Sequence, residues 1–133
     1  MIETGDKRRG TSGAKPINSY KDLEIWQEGV RLVSNFYKLT SDFPKEENYG
    51  LTSQMRRAAI SVPANIAEGY ARNHRAELRQ FLYIALGSLA ELETLSLIAR
   101  ELGYTDHSPT AVQLEQSVVQ LRHRTLAFLR SLR

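Results

Sequence analysis

The residues best able to do chemistry are few in this chain, and their spacing is poor for it. There are three histidines (His74, His107 and His123), fifteen Asp and Glu residues, and no cysteine. Without cysteine there is no thiolate nucleophile, thiolate zinc site or disulfide, which suits a reducing compartment. A di-metal carboxylate centre in a helical protein needs inward-facing Glu-x-x-His pairs, and no Glu here is followed three residues later by His. The three histidines fall at predicted helix ends or on an outer face, where they read as capping or surface residues. There is no Gly-x-Ser-x-Gly elbow and no phosphate-binding glycine loop. Glu68 and Glu91 are the two acids expected near an interior, one on each of two adjacent helices, and a carboxylate pair can do acid–base work. Glu68, however, stands four residues before Arg72, the favourable order for a helical ion pair. No enzymatic activity, metal or cofactor is expected.

Two other groupings point to binding. Gln54, Arg57, Ser61, Asn65, Glu68 and Arg72 form a polar line covering roughly 80° of one helix, with apolar surface on both sides. Such a line is either a binding groove or a hydrogen-bonded seam between helices or subunits that sets register. The broad apolar coverage of that helix favours the seam. Arg72, His74, Arg75 and Arg79 cluster around a predicted turn where backbone N–H groups of the next helix are free, a setting that can hold phosphate. Arg122, Arg124, Arg130 and Arg133 lie on the last helix and extend the basic set. A surface of this kind binds RNA or DNA through the backbone, with strong salt dependence. Ordinary solvated or ion-paired arginines are the equally available reading.

Charge is arranged in blocks. The chain of 133 residues carries a formal charge of +3. Residues 1–19 contribute +2, 20–47 contribute −2, 56–79 contribute +3, 80–106 contribute −3 and 107–133 contribute +3. Alternating blocks are read here as complementary helix surfaces, although they can also gather into a positive face. A hydrophobic fraction of 41% and a charged fraction of 25% are ordinary for a folded domain. The N-terminus lacks the layout of a signal peptide, and the longest nearly uncharged stretch, 81–90, is about half a membrane span, so no membrane partner is expected.

The elements that must position these groups are all helical. Residues 1–19, rich in Gly, Ser and Thr, read as a disordered basic leader, and residues 20–133 as one domain. Apolar residues at 3–4 spacing predict a first helix over 22–39, with Leu23, Trp26, Val30, Val33 and Tyr37 as its stripe and Ile25, Leu32, Phe36 and Leu39 beside it. The second helix, 49–71, buries Leu51, Met55, Ala58, Val62 and Ile66 and is expected to bend at Pro63. The third runs from about Arg75 to Leu102, capped by Asn73, with heptad positions Leu78, Ala85, Leu92 and Ala99 and a Gly103 stop. The fourth opens at Pro109 and turns Ala111, Leu114, Val118, Leu121, Thr125, Phe128 and Leu132 inward. Short connections make neighbours antiparallel, so the fold class is all-α, an up-down-up-down four-helix bundle.

Asp22-Leu23-Glu24-Ile25-Trp26, Arg56-Arg57-Ala58, the run Ser61-Val62-Pro63-Ala64-Asn65-Ile66-Ala67-Glu68-Gly69, and Gly87-Ser88-x-x-Glu91 together resemble the bacterial 23S rRNA intervening-sequence protein family, also called S23-like. The likeness runs from about Tyr20 to Tyr104 and is weaker through the last helix. It implies a homopentamer of four-helix protomers, related to the nucleic-acid- and reverse-transcriptase-binding accessory proteins of diversity-generating retroelements. By resemblance, Asn65, Glu68, Gly69, Gly87, Ser88 and Glu91 fall on packing and assembly positions, and Arg57 and Ser61 share their helix. The expected function is a cytoplasmic, non-enzymatic oligomer with a nucleic-acid or ribonucleoprotein accessory role. A protein–protein adaptor is the alternative. Those nucleic-acid-binding relatives are strongly basic, whereas this chain is only mildly so.

Overall fold

A computed structural model describes residues 16–106 and 108–132. Most of the expected leader, residues 1–15, lies outside the described residues, as do His107 and Arg133. After a 3-10 turn at Tyr20–Asp22 come four helices, α1 (Glu24–Thr40), α2 (Leu51–Ala71), α3 (Arg75–Glu101) and α4 (Pro109–Arg130), with a second 3-10 turn at Lys45–Glu47 between α1 and α2. Each helix packs on the next and α4 returns to α1, so the four stand in cyclic order. Contacts between α1 and α2 pair Gly29 with Pro63, and those between α2 and α3 pair Gly69 with Phe81. Arg100 of α3 reaches Glu115 of α4. Rising numbers on one helix thus meet falling numbers on the next. This is the antiparallel all-α bundle that the periodicity predicts, and no strand occurs among the described residues.

The core is built from Leu32 and Phe36 of α1, Met55, Val62 and Ile66 of α2, Leu78, Leu82, Leu89 and Leu92 of α3, and Leu114, Val118 and Leu121 of α4. Burying each large side chain is worth about 1.5–3 kcal/mol relative to leaving it exposed. In α1 the expected stripe is displaced. Ile25, Gly29, Leu32, Phe36 and Thr40 face inward, while Val30 and Tyr37 are exposed. Apolar residues fill half of this helix, so two overlapping stripes satisfy the helical period. The choice between them falls to Gly29, which lets α1 approach Pro63: a Cβ there would sit 3.3 Å from that ring. Pro63 is buried in a continuous helix.

The helix ends follow local chemistry. Gly103 has φ of 83° and closes α3 as expected. Its N–H bonds Arg100 O and the Tyr104 N–H bonds Ala99 O. Ser108 caps α4 by accepting from the Ala111 N–H, with Pro109 at the first helical position. Asn73 is not the cap of α3. It has φ of 61° and ends α2, while extended His74 takes the N-cap position. Asn tolerates left-handed geometry better than other residues with a side chain, which suits it to stop a helix.

α3 is the most apolar element. Its richest 18-residue window has mean hydropathy 1.5, and only 39% of that window is buried inside the bundle. By length and composition it is apolar enough to cross a membrane, a longer run than the uncharged 81–90 stretch indicates. Tyr83, Ile84, Leu97 and Ile98 of this helix are exposed.

Candidate nucleic-acid interface

The polar line on α2 divides in two. Its inner members form a seam with α3: Ser61 Oγ and Ser88 Oγ lie 2.7 Å apart, and either hydroxyl can be the donor. Asn65 Nδ2 donates to Ser61 O at 2.7 Å and to Ser61 Oγ at 2.8 Å. Ser88 is buried and the other two are half-buried. Two turns on, a Cβ at Gly69 would fall 2.6 Å from Phe81 Cβ, so only glycine lets the helices come this close.

The outer members, Arg57 and Glu68, are exposed. Glu68 accepts from Arg72 at 2.9 Å, and Glu91 is exposed on α3. The expectation that these two acids approach an interior is therefore wrong. Both sit on the outward side of their helices, because the inward arc is filled by the Gly69 and Ser61–Ser88 contacts. Gly87 also faces outward, with open space where a Cβ would stand. Ile60 of α2 and Tyr83, Ile84 and Ile98 of α3 are also exposed; Ile84 is 50% and Tyr83 55% exposed.

Arg79 brings the α2–α3 turn against the end of α4 beside Arg130, whereas Arg122 and Arg124 turn to other helices. Arg72 pairs with Glu68, lies 3.8 Å from Glu77 and stacks 5.2 Å from the Phe81 ring centre. The hydrogen bond to Glu68 holds its pKa above the usual guanidinium range. Exposed His74 makes no capping bond with its side chain. Arg75 is exposed but not without a partner. Arg79 Nη1 donates to Leu129 O at 3.2 Å, adding a second donor to a carbonyl at the end of α4 that also accepts the Leu132 N–H. On α4 itself the arginines diverge. Arg122 turns to Glu93 of α3 at 3.7 Å, Arg124 bonds Glu28 of α1, and Arg130 is exposed. The 107–133 block thus meets negative blocks on α1 and α3, whereas Arg72 of the 56–79 block pairs within its own block.

Several organising residues escape a sequence reading. Arg56 donates from Nε to Thr40 Oγ1 at 2.9 Å and from Nη2 to Tyr37 O at 3.2 Å, with its guanidinium 4.3 Å from the Tyr37 ring centre. It closes the end of α1, where a cation complements the helix dipole. Glu47 accepts the Leu51 N–H at 3.0 Å and the Tyr104 hydroxyl at 2.8 Å. These two bonds, the backbone one foremost, hold its carboxyl below the usual range. The Glu47 bond and burial raise the Tyr104 phenol. Burial, followed by the charge of Asp22, raises Tyr70. Only Glu47, four residues before Leu51, carries a local signal of its role, an acid at a helix start.

Two grooves flank α4. The one toward α3 has a volume of about 470 Å³, with Leu97, Val112 and Val119 between Glu93 and Glu115. The one toward α1 is smaller and polar, at about 240 Å³. Among the described residues no three His, Asp or Glu side chains converge as a metal site would need.

The described residues define a four-helix-bundle protein with a hydrogen-bonded α2–α3 seam, exposed apolar side chains on the outer side of α3, and arginines dispersed over all four helices. The chain belongs to the 23S rRNA-intervening sequence protein family, whose sequence model matches residues 21–125. That match covers α1 to α3 and continues into α4, farther than the motifs alone indicate. No curated protein sequence matches the chain.

Proposed function

We propose that this protein is a non-enzymatic, cytoplasmic helical bundle that self-assembles and serves as an RNA-binding accessory component of a ribonucleoprotein. The family name, with its reference to 23S rRNA, supports an RNA-related role. One observation carries the rest: the two flanks of the bundle differ in kind. The α2–α3 flank exposes Ile60, Tyr83, Ile84 and Ile98, apolar surface that costs free energy in water and is suited to a second copy of itself. The opposite flank, α1 and α4, sets Val30, Tyr37 and Val112 among exposed polar side chains and arginines. Cyclic association through the first face, in a pentamer by family resemblance, would repeat the second around a ring.

Two measurements test this. Light scattering on the full chain should give a multiple of the 15.1 kDa protomer, and Ile84→Glu with Ile98→Glu should reduce it to the protomer without loss of helicity. RNA binding should be present at low salt and fall steeply with added salt. A monomeric wild type, or no RNA binding at low salt, removes the corresponding half of the proposal.

A protein–protein adaptor is the second reading, and a reverse transcriptase is the partner class the resemblance implies. It is favoured by the fact that Arg72, Arg79, Arg122 and Arg124 already have partners within the chain. Partner binding that survives nuclease, with no RNA binding at low salt, would select it.

A further inference from the structure

The polar groove between α1 and α4 holds binding groups that the bundle itself does not use. Its walls carry Glu28, Arg31 and Asn35 from α1 and Ser117, Gln120 and Arg124 from α4. Its floor is apolar, formed by Leu32 and Leu121. Glu28 is paired with Arg124 across the groove, so the pair is neutral and leaves Arg31 as the net charge. Arg31, Asn35, Ser117 and Gln120 make no side-chain hydrogen bond or ion pair among the described residues. Solvent-facing helix residues often lack partners. Here, however, a guanidinium, two amides and a hydroxyl line one recess rather than a convex face.

Resting on the RNA-binding reading above, we infer that this groove, rather than the arginines of the α2–α3 turn, is the subsite for the ribose-phosphate backbone of RNA. Arg31, joined by the edge of Arg124, offers charge-assisted donors for one phosphate. Asn35, Gln120 and Ser117 both donate and accept, as does the ribose 2′-hydroxyl, the group that distinguishes RNA from DNA. No aromatic side chain lines the recess, so it has no platform for stacking bases and reads backbone rather than sequence. The other groove of α4 is unsuited to the same ligand, because its floor is apolar and no arginine or lysine lines it. The turn arginines are unsuited for another reason: Arg72 and Arg79 are committed to Glu68 and to the end of α4. Position supports the assignment as well. In the cyclic helix order the α1–α4 edge lies opposite the α2–α3 edge. Assembly through the apolar face therefore leaves every copy of the groove open, and one strand can engage several copies at once.

The test uses the full chain and fluorescence anisotropy with a labelled 20-nucleotide uridine oligomer and its deoxy counterpart at low salt. Arg31→Glu should weaken RNA binding by about tenfold or more, the loss of a charge-assisted bond. Lys45→Glu, an exposed residue in the α1–α2 connection, makes the same change in net charge and should cost less than about threefold. Asn35→Ala with Ser117→Ala keeps every charge and should lower the preference for RNA over the deoxy strand. Thermal melts confirm that each variant folds. Equal losses in Arg31→Glu and Lys45→Glu, with wild-type RNA binding intact, overturn the groove and leave the RNA-binding function standing. An unchanged RNA preference in the alanine pair overturns the role of its amide and hydroxyl. Absence of wild-type binding overturns both proposals.

Discussion

The α2–α3 pair and the attachments of α4 are two solutions to holding helices together. Between α2 and α3 the backbones come close enough for only glycine at position 69, and the polar groups at the contact satisfy one another through Asn65, Ser61 and Ser88. Around α4 the core is apolar, but its margins are stitched by long side chains: Arg100 to Glu115, Arg122 to Glu93 and Arg124 to Glu28. The first arrangement is short-range and intolerant of volume. The second is exposed, screened by salt and tolerant of change. Function can therefore vary on the α4 side at little cost to the fold, whereas the α2–α3 pair is constrained from within.

The largest expected effect probes the close approach. Gly69→Ala should cost about 1–3 kcal/mol through overpacking against Phe81, even though alanine gains about 1 kcal/mol in helix propensity. Gly87→Ala, one helix away and facing open space, should instead stabilise the protomer by about 0.5–1 kcal/mol. Urea unfolding of the two variants compares an inner with an outer glycine. Equal effects would mean that α2 and α3 relax apart and that the contrast with α4 is false.

Next in size is the seam. Ser61→Ala strands the buried Ser88 hydroxyl and should cost about 1–3 kcal/mol. The double variant with Ser88→Ala should recover part of that loss, because no polar group is left without a partner. A double-mutant cycle reads the coupling directly. Additive losses would show that the serines act separately.

On the α4 side, Arg124→Ala should cost no more than about 1 kcal/mol, since exposed ion pairs contribute little and salt removes it. A larger loss that persists at high salt would move α4 into the same class as the seam.

The smallest effect concerns the bond that joins the two regions. The Glu47 carboxyl is lowered in the folded chain by the Leu51 N–H and the Tyr104 hydroxyl. Its contribution is therefore complete above the unfolded carboxyl range and is lost as pH falls through the lower folded value. Tyr104 is shifted upward, so its contribution holds below the ordinary phenol range and fades as pH rises through the folded value. Glu47→Gln should flatten the acid limb of the stability curve, as measured by thermal melts from neutral to acidic pH. An unchanged limb would mean that α2 starts equally well without this carboxylate.

The heptad of α3 and the stripe of α2 were legible because each has one apolar arc at one period. In α1 the apolar arc is twice as wide, and the sequence alone preferred Val30 and Tyr37, which face solvent. Gly103 was legible as a stop because glycine after a helix has a local meaning. Asn73 was misread because asparagine suits both a cap and a left-handed stop. Of the polar line, the Ser61–Asn65 half could be anticipated as a seam. The destinations of Arg56, Arg79 and Arg124 could not, since a long cationic side chain has no periodic signature of its partner. Arg31 drew no notice for the same reason: nothing in its neighbours along the chain marks a groove wall that α4 completes.

By itself the sequence determined what depends on near neighbours along the chain: four helices, their ends, most of the core, and a lack of cysteine or paired Glu-x-x-His motifs. Those follow from 3.6-residue periodicity and from the backbone preferences of Gly, Pro and Ser, which act over a turn or two. The tertiary structure decided which of two stripes α1 buries, how closely α2 meets α3, and which arginines remain available. Most of those depend on a residue of another helix, either as a volume to be fitted or as a charge to be met, and distance in space is the one quantity that spacing along a helix does not encode.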